Sequence, residues 1–118
     1  MTPFGEKLRA LRRERGLRLK DMARDLQLSP AYLSALEHGQ RGRPSPILVE
    51  QICSYFNVIW DEADELRRLA HLSHPRVVVN TAGLSAKATL LANRLADRIA
   101  DLPDASIDKL LQDLARDE

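Results

Sequence analysis

Two short helical segments with very little chain between them constrain the fold of this sequence more than any other feature. Apolar side chains recur at helical spacing at about residues 19–26 and again at about 30–38. Ser29 and Pro30 form a typical helix start, a capping hydroxyl followed by a proline, and Gly39 ends the second segment. Because only three or four residues connect the segments, the sequence predicts two helices that cross at a large angle.

The rest of the sequence predicts further helices, so we expect an all-α protein. Five short helices are expected by about residue 72, and residues 1–72 form the first predicted domain. Residues 73–84 are predicted to be a linker, in which the β-branched run Val77–Val79 favours a short extended strand. Residues 85–118 carry a narrow apolar stripe interrupted by a turn, which predicts a C-terminal helical hairpin.

A two-helix hairpin cannot bury its own apolar stripe, so the stripe must pack against something else. It can fold back onto the N-terminal domain, bind a ligand, or pair with a second copy of the chain. The stripe is aliphatic and has no aromatic side chain that would shape a cavity, and we therefore predict a homodimer. The predicted dimer contacts are Val77, Val79, Leu84, Leu91, Leu95, Ile99, Leu102, Leu110 and Leu114.

The charge is distributed unevenly along the chain, although the formal net charge is only +1. Residues 1–45 carry ten Lys/Arg and five Asp/Glu, a net charge of +5, whereas residues 46–118 carry a net charge of −4. An excess of cations in the N-terminal half indicates a polyanionic partner such as nucleic acid. Charged helices that only face water are the alternative interpretation.

The helix at about 30–38 has an unusual outward face. Leu33 and Leu36 are expected to point into the core, and the remaining positions are small and nearly uncharged. A helix that only faces water typically carries several Lys or Glu residues, whereas this one has basic residues before and after it. The pattern indicates a helix that enters the DNA major groove, and a plain core helix is the alternative. The outward residues are Pro30, Ala31, Tyr32, Ser34, Ala35 and His38.

The stretches LRALRRERGLRLKDMARDL and SPAYLSALEHGQRGRPSP carry a family resemblance. Residues 4–58 resemble the lambda-repressor-like, Xre-type helix-turn-helix family over about half of the chain. The resemblance implies a five-helix DNA-binding domain whose third helix reads bases, and a dimer that binds a near-palindromic operator. Double-stranded DNA and a second copy of the chain are thus the expected partners.

The resemblance also implies roles for individual residues. Arg12 and Glu37 resemble a partly buried salt bridge that ties the first helix to the third. The expected base contacts are Pro30, Ala31, Tyr32, Ser34 and Ala35. The expected contacts to the DNA backbone are Arg18, Lys20, Ser29, His38, Arg41 and Arg43.

The sequence departs from the family pattern at two positions. Leu19 stands where the family usually has a glutamine that contacts a phosphate, so Arg18 and Lys20 are expected to provide that contact. Gln27 stands where the family commonly has glycine in the turn. If the backbone is left-handed at this position, the side chain costs about 1 kcal/mol.

The sequence lacks the sets of residues that a metal site or an enzyme active site would need. His71 and His74 have a spacing that metals use, but no third ligand completes the set, so we expect no metal and no cofactor. Residues 61–65 are acidic because they begin a predicted helix, and no catalytic motif is present, so no enzyme is expected.

The sequence has no apolar run of the roughly 20 residues that span a membrane. Its single cysteine, Cys53, fits a reducing compartment, which predicts a cytoplasmic protein.

These observations together predict a homodimeric, cytoplasmic, DNA-binding transcriptional regulator. We expect a repressor, because occluding a promoter requires only tight binding to DNA. One alternative is an antitoxin that binds a toxin through its C-terminal helices and also regulates its own promoter. Another is an adaptor that binds proteins through the same fold without contacting DNA, which the +5 charge of residues 1–45 disfavours.

Overall fold

The computed structural model describes residues 1–40 and 43–115, and its regular secondary structure in these ranges is entirely helical. This confirms the all-α prediction. The chain divides into two compact units, Met1–Val77 and Val78–Glu118. The helices are α1 (Pro3–Glu14), α2 (Leu19–Asp25), α3 (Pro30–Glu37), α4 (Pro46–Phe56), α5 (Trp60–His71), α6 (Ala86–Arg98) and α7 (Asp104–Leu114), with a 3-10 turn at Ile99–Asp101.

Three helices of the first unit begin with the same local device. The hydroxyl of Thr2 accepts the Gly5 backbone N–H at the start of α1. Ser29 and Ser45 do the same at the starts of α3 and α4, with oxygen–nitrogen distances of 3.0 and 3.1 Å. A proline follows each cap, where the missing N–H removes no helical hydrogen bond. These starts are therefore specified within a few residues of sequence.

The core of the first unit receives side chains from each of its five helices. Cys53 belongs to this core and is only 5% exposed, and burial raises the pKa of its thiol above the ordinary value. This is a structural cysteine that packs as a small apolar side chain. The largest fully buried side chains are Phe4, Leu8, Met22, Leu33, Ile52, Phe56, Leu66 and Glu37.

Helices α1 and α3 approach each other closely at Gly5. A Cβ atom at this position would lie 2.6 Å from the carbonyl oxygen of Glu37 and 2.7 Å from that of Leu36. Real Cβ atoms do not come this close to backbone oxygens, so only glycine fits. The first helix thereby supports the backbone of α3 directly.

The end of α5 is joined to the beginning of α1. The backbone N–H of Phe4 donates to the hydroxyl of Ser73 at 2.8 Å, across 69 residues of chain. Ser73 is 3% exposed, so its hydroxyl satisfies a helix N–H group that water does not reach. The first unit therefore includes residues beyond the last turn of α5.

The turn between α2 and α3 contains a left-handed residue. Gln27 has a φ angle of +58°, in the region that glycine tolerates best. The neighbouring Leu28 N–H donates to the Ala23 carbonyl at 2.8 Å, which closes the end of α2. The strain expected from Gln27 in the place of glycine is thus present in the backbone.

The short strand expected at Val77–Val79 is absent, because these residues have no regular secondary structure and the described ranges contain no strand. A strand needs a neighbour that pairs with its N–H and C=O groups, and a local β-branched run does not supply one. Val77, Val78 and Val79 are 70%, 88% and 63% exposed.

The second unit consists of α6, the 3-10 turn and α7. Neither helix has a buried residue within this chain. Their aliphatic side chains line a groove of about 480 Å³, with Arg94, Arg98 and Asp113 at its polar edges. The groove is lined by Leu91, Leu95, Leu102, Leu110 and Leu114.

In the described ranges, no helix has the length and apolar character needed to cross a membrane.

Candidate nucleic-acid interface

Helix α3 has one face in the core and one face accessible from outside. Leu33, Leu36 and Glu37 are buried, and α3 contacts both α1 and α2. Of the predicted base-contacting residues, Pro30 and Ala31 are exposed. The other three, Tyr32, Ser34 and Ala35, are half-buried.

The buried Glu37 is paired with Arg12 of α1. The Arg12 Nε donates to Glu37 Oε2 at 2.7 Å, and Nη2 donates to Oε1 at 3.1 Å. A third donor, Nη1, binds the carbonyl of Leu17 at 2.9 Å. These hydrogen bonds, which Arg12 donates to Glu37, raise the pKa of Arg12 above its ordinary value. Both ends of this pair are therefore fixed, and the pair joins the last turn of α3 to α1.

The residues before α3 are only partly available to phosphates. Ser29 is exposed, but its hydroxyl caps α3 by accepting the Tyr32 N–H. Arg18 directly precedes α2 without a side-chain capping hydrogen bond, and its Nε donates to Asp21 Oδ2 at 2.9 Å. This contact lowers the pKa of the Asp21 carboxyl. Lys20 is exposed on the same helix. An ion pair with Asp21 of α2 thus engages the guanidinium of Arg18, one of the two cations expected to replace the missing glutamine.

Arg43, the described basic residue after α3, lies between α3 and α4 and outside any helix. Arg43 is exposed, and its Nη1 lies 3.2 Å from His71 Nδ1 of α5. A cavity of about 540 Å³ is lined by both residues and by the first turn of α4. Arg41 lies outside the described residues.

His38 lies at the C-terminal end of α3 and is exposed. Its Nδ1 lies 2.7 Å from the carbonyl oxygen of Ser34. Since a carbonyl oxygen only accepts, Nδ1 is the protonated nitrogen in this contact. Nδ1 is thus engaged by the backbone of α3.

Two contacts between other helices of the first unit were not expected from the sequence. The Tyr55 hydroxyl donates to Asp25 Oδ2 at 2.8 Å and joins α4 to the end of α2. The Arg15 guanidinium binds the carbonyl of Phe56 and lies 5.2 Å from the centre of its ring. These pairs are 30 and 41 residues apart, so no local pattern indicates them.

The described residues contain no group of three or more His, Cys, Asp or Glu side chains arranged to hold a metal ion. His71 Nδ1 contacts Arg43, and a guanidinium is not a metal ligand.

Comparison with known proteins identifies three relatives over the N-terminal part of the chain. HTH-type transcriptional regulator DdrOP3 of Deinococcus deserti is 49% identical over 53 residues, which are 45% of this chain and 40% of that protein. HTH-type transcriptional repressor RghR and the uncharacterised HTH-type regulator RghRB, both of Bacillus subtilis, are each 36% identical over 61 residues. These 61 residues are 52% of this chain and 45% and 44% of the two proteins. The chain therefore spans less than half of each of these relatives.

No solved structure matches this chain significantly. The family model described as a helix-turn-helix domain matches residues 3–69, which include all of α1 to α4 and most of α5. The matching family is one of helix-turn-helix domains, which is not an enzyme class. The resemblance to Xre-type regulators is thereby confirmed, and this chain belongs to the helix-turn-helix family.

Proposed function

We propose that this chain is a cytoplasmic, sequence-specific DNA-binding transcriptional regulator whose helix α3 enters the major groove. One observation carries the proposal: α3 has an accessible face of small, uncharged residues, although cationic residues precede and follow it. A helix with short side chains can approach base edges closely, and cations on either side can bind the phosphates that border the groove. The ties from α3 to α1 through Gly5 and Arg12 support a fixed reading geometry.

The proposed base contacts are those expected from the sequence, Pro30, Ala31, Tyr32, Ser34 and Ala35. The proposed backbone contacts are Arg18, Lys20, Ser29, His38, Arg41 and Arg43. Their accessible positions in the described ranges support this assignment, and Arg41 enters it from the sequence alone. Because contacts to phosphates release counterions, binding should weaken steeply as the salt concentration rises.

A homodimer on a near-palindromic operator is the second part of the proposal. The leucine-lined groove of the second unit supports it, because an exposed aliphatic surface of this kind is stabilised when a second copy covers it. As expected from the sequence, we assign DNA binding to residues 1–72, a linker to 73–84 and dimerisation to 85–118, although Ser73 at the start of this linker packs with the first unit. Repression is the proposed mode of action, supported by the name of the relative RghR, a transcriptional repressor.

The test is a selection of bound sequences from a random duplex library with the purified full chain. A two-fold-symmetric motif with half-site centres about 34–36 Å apart would support the dimeric regulator. Ala31→Glu should abolish the enrichment, because it brings a carboxylate to the DNA. The matched control is Ala10→Glu, at an exposed position of α1, which should keep the motif. Absence of enrichment at low salt would overturn the proposal.

An antitoxin is the second candidate function, and the same groove favours it, since a toxin could cover the leucines instead of a second copy. Light scattering of the purified chain distinguishes the two. A dimer of the chain alone favours the regulator. A monomer that becomes a stable hetero-complex with the product of an adjacent gene favours the antitoxin.

A further inference from the structure

The reading face of α3 lacks the groups that usually distinguish bases. The helix sequence PAYLSALE contains no Arg, Lys, Asn or Gln, and these are the side chains that form bidentate hydrogen bonds with guanine or adenine. Its only charged residue, Glu37, is 1% exposed and is bound on both oxygens by Arg12. Specific recognition by α3 must therefore use something other than bidentate contacts to purines.

Besides Pro30 at its first position and the half-buried Tyr32, this face carries two accessible methyl groups. Ala31 is exposed and Ala35 is half-buried, and they lie four residues apart on the same side of α3. Four residues correspond to about 6 Å along a helix axis, on the order of two base-pair steps. The two methyl groups are thus spaced to contact different base pairs.

In the major groove, an apolar side chain recognises the C5-methyl group of thymine. The cytosine ring carries the same methyl group at the same position when it is 5-methylated. The hydrogen-bonding groups of thymine and 5-methylcytosine differ, but α3 has no bidentate group that would reject one of them. A face of this composition therefore responds to the methyl group itself.

We propose that α3 recognises its operator through the C5-methyl groups of pyrimidines, using Ala31 and Ala35. Thymine supplies this group in unmodified DNA, and 5-methylcytosine supplies it in methylated DNA. This inference rests on the proposed function and adds to it the class of base feature that the helix reads. It also makes operator binding sensitive to cytosine methylation.

The experiment uses the full chain and the operator obtained by selection. Each thymine of the half-site is replaced by deoxyuridine, which removes only the methyl group, and the Kd of every duplex is measured. At one or two positions the loss should be about fourfold per methyl, the value expected for burying one such group. At the same positions, a 5-methylcytosine·guanine pair should bind about fourfold more tightly than a cytosine·guanine pair.

Protein variants then assign the contacts. In Ala31→Gly or Ala35→Gly, the ratio of the deoxyuridine Kd to the thymine Kd should fall toward one at a single position. Each ratio is measured within one protein, so a loss of stability or of overall affinity cancels. Ala10→Gly, on α1, is the matched control and should keep the wild-type ratio.

The outcomes separate this inference from the proposed function. A sharp operator motif with a ratio of one at every thymine would overturn methyl recognition and leave the regulator intact. If Ala31→Gly and Ala35→Gly both retain the effect of the thymine methyl group, the assignment to Ala31 and Ala35 is overturned. A library without any enriched sequence would overturn both proposals.

Discussion

At the scale of single residues, Glu37 is a charged side chain buried inside the first unit. It is 1% exposed, and both of its oxygens accept hydrogen bonds from Arg12. A buried carboxylate loses its hydration, and here the guanidinium is what replaces it. The pair therefore fixes the end of α3, and the two residues depend on each other.

Removing Arg12 alone should be costly. Arg12→Met should lower the free energy of unfolding by about 3–5 kcal/mol, because Glu37 is left buried without its cation. Urea denaturation followed by circular dichroism measures the change. The double variant Arg12→Met/Glu37→Leu should recover most of the loss, since it buries no charge. Equal stabilities of the single and double variants would contradict this account.

Gln27 offers a stabilising substitution in the turn before α3. Gln27→Gly should raise the free energy of unfolding by roughly 0.5–1 kcal/mol, because φ is +58° there and glycine adopts this angle without strain. Thermal denaturation should show a higher Tm. Gly16→Ala is the opposite control. The φ angle of Gly16 is +65° and nothing lies within 4 Å of the added Cβ, so the left-handed backbone alone should lower the free energy of unfolding of this variant. A lower Tm for Gln27→Gly would show that its side chain has another role.

At the scale of helices, the close approach of α1 to α3 at Gly5 depends on the absence of a side chain at that position. The added methyl of Gly5→Ala would meet two carbonyl oxygens at 2.6 and 2.7 Å, and neither can rotate away. We expect a loss of about 1–3 kcal/mol in unfolding free energy and weaker DNA binding, since α3 must move. Calorimetry and a DNA titration measure the two effects. The control is Glu6→Ala on the exposed side of α1, which should change neither by much.

Helices α4 and α5 are joined by an ion pair that titrates. Arg67 donates to both oxygens of Glu50 at 2.8 and 2.9 Å, and this contact lowers the carboxyl pKa below its ordinary value of 4.5. As the pH falls, the Glu50 carboxylate is therefore protonated at a higher pH in the unfolded chain than in the folded chain. Stability from the pair is present above that pH and is lost as the pH falls through the folded pKa.

Unfolding measured between pH 5 and 2.5 should reveal this contribution. Glu50→Gln and Arg67→Met should each make the dependence of unfolding free energy on pH shallower in this interval. Both variants remove the Glu50–Arg67 interaction, and Arg67→Met also removes the ion pair between Arg67 and Asp64, whose atoms are 2.7 Å apart. Profiles parallel to that of the wild type would mean that the pair is too well solvated to contribute.

The starts of α1, α3 and α4 were predictable because the cap and its partner lie within three residues. The left-handed angle at Gln27 was predictable from the expected turn. The close approach at Gly5 was not, since it depends on how α3 is placed against α1. The strand at Val77–Val79 was wrongly expected for the same physical reason, because strand pairing depends on a neighbour that local propensity does not reveal. Of the proposed interface, the sequence indicated the residues but not the ion pair that engages Arg18.

At the scale of the whole molecule, the aliphatic surface of α6 and α7 has the largest consequence for assembly. Leu91→Asp, in the groove, should shift the purified chain from dimer to monomer and weaken operator binding at least tenfold, since the second half-site contact is lost. Light scattering and a DNA titration follow the two effects. Asn93→Asp, about 200° around α6 by helical geometry, is the matched control and should remain dimeric. A monomeric wild-type chain would contradict the assembly proposed for this unit.

The hydroxyl of Ser73 also determines where the molecule can be cut. A fragment ending at residue 72 would contain every helix of the first unit but would leave the Phe4 N–H without its acceptor. A fragment ending at Val77 would keep that acceptor. The shortest fragment that keeps the first unit intact, for example for fusion to an unrelated oligomeric scaffold, should therefore end at Val77 and not at residue 72. Its attachment point is the exposed valine run, where a graft would disturb no packed side chain.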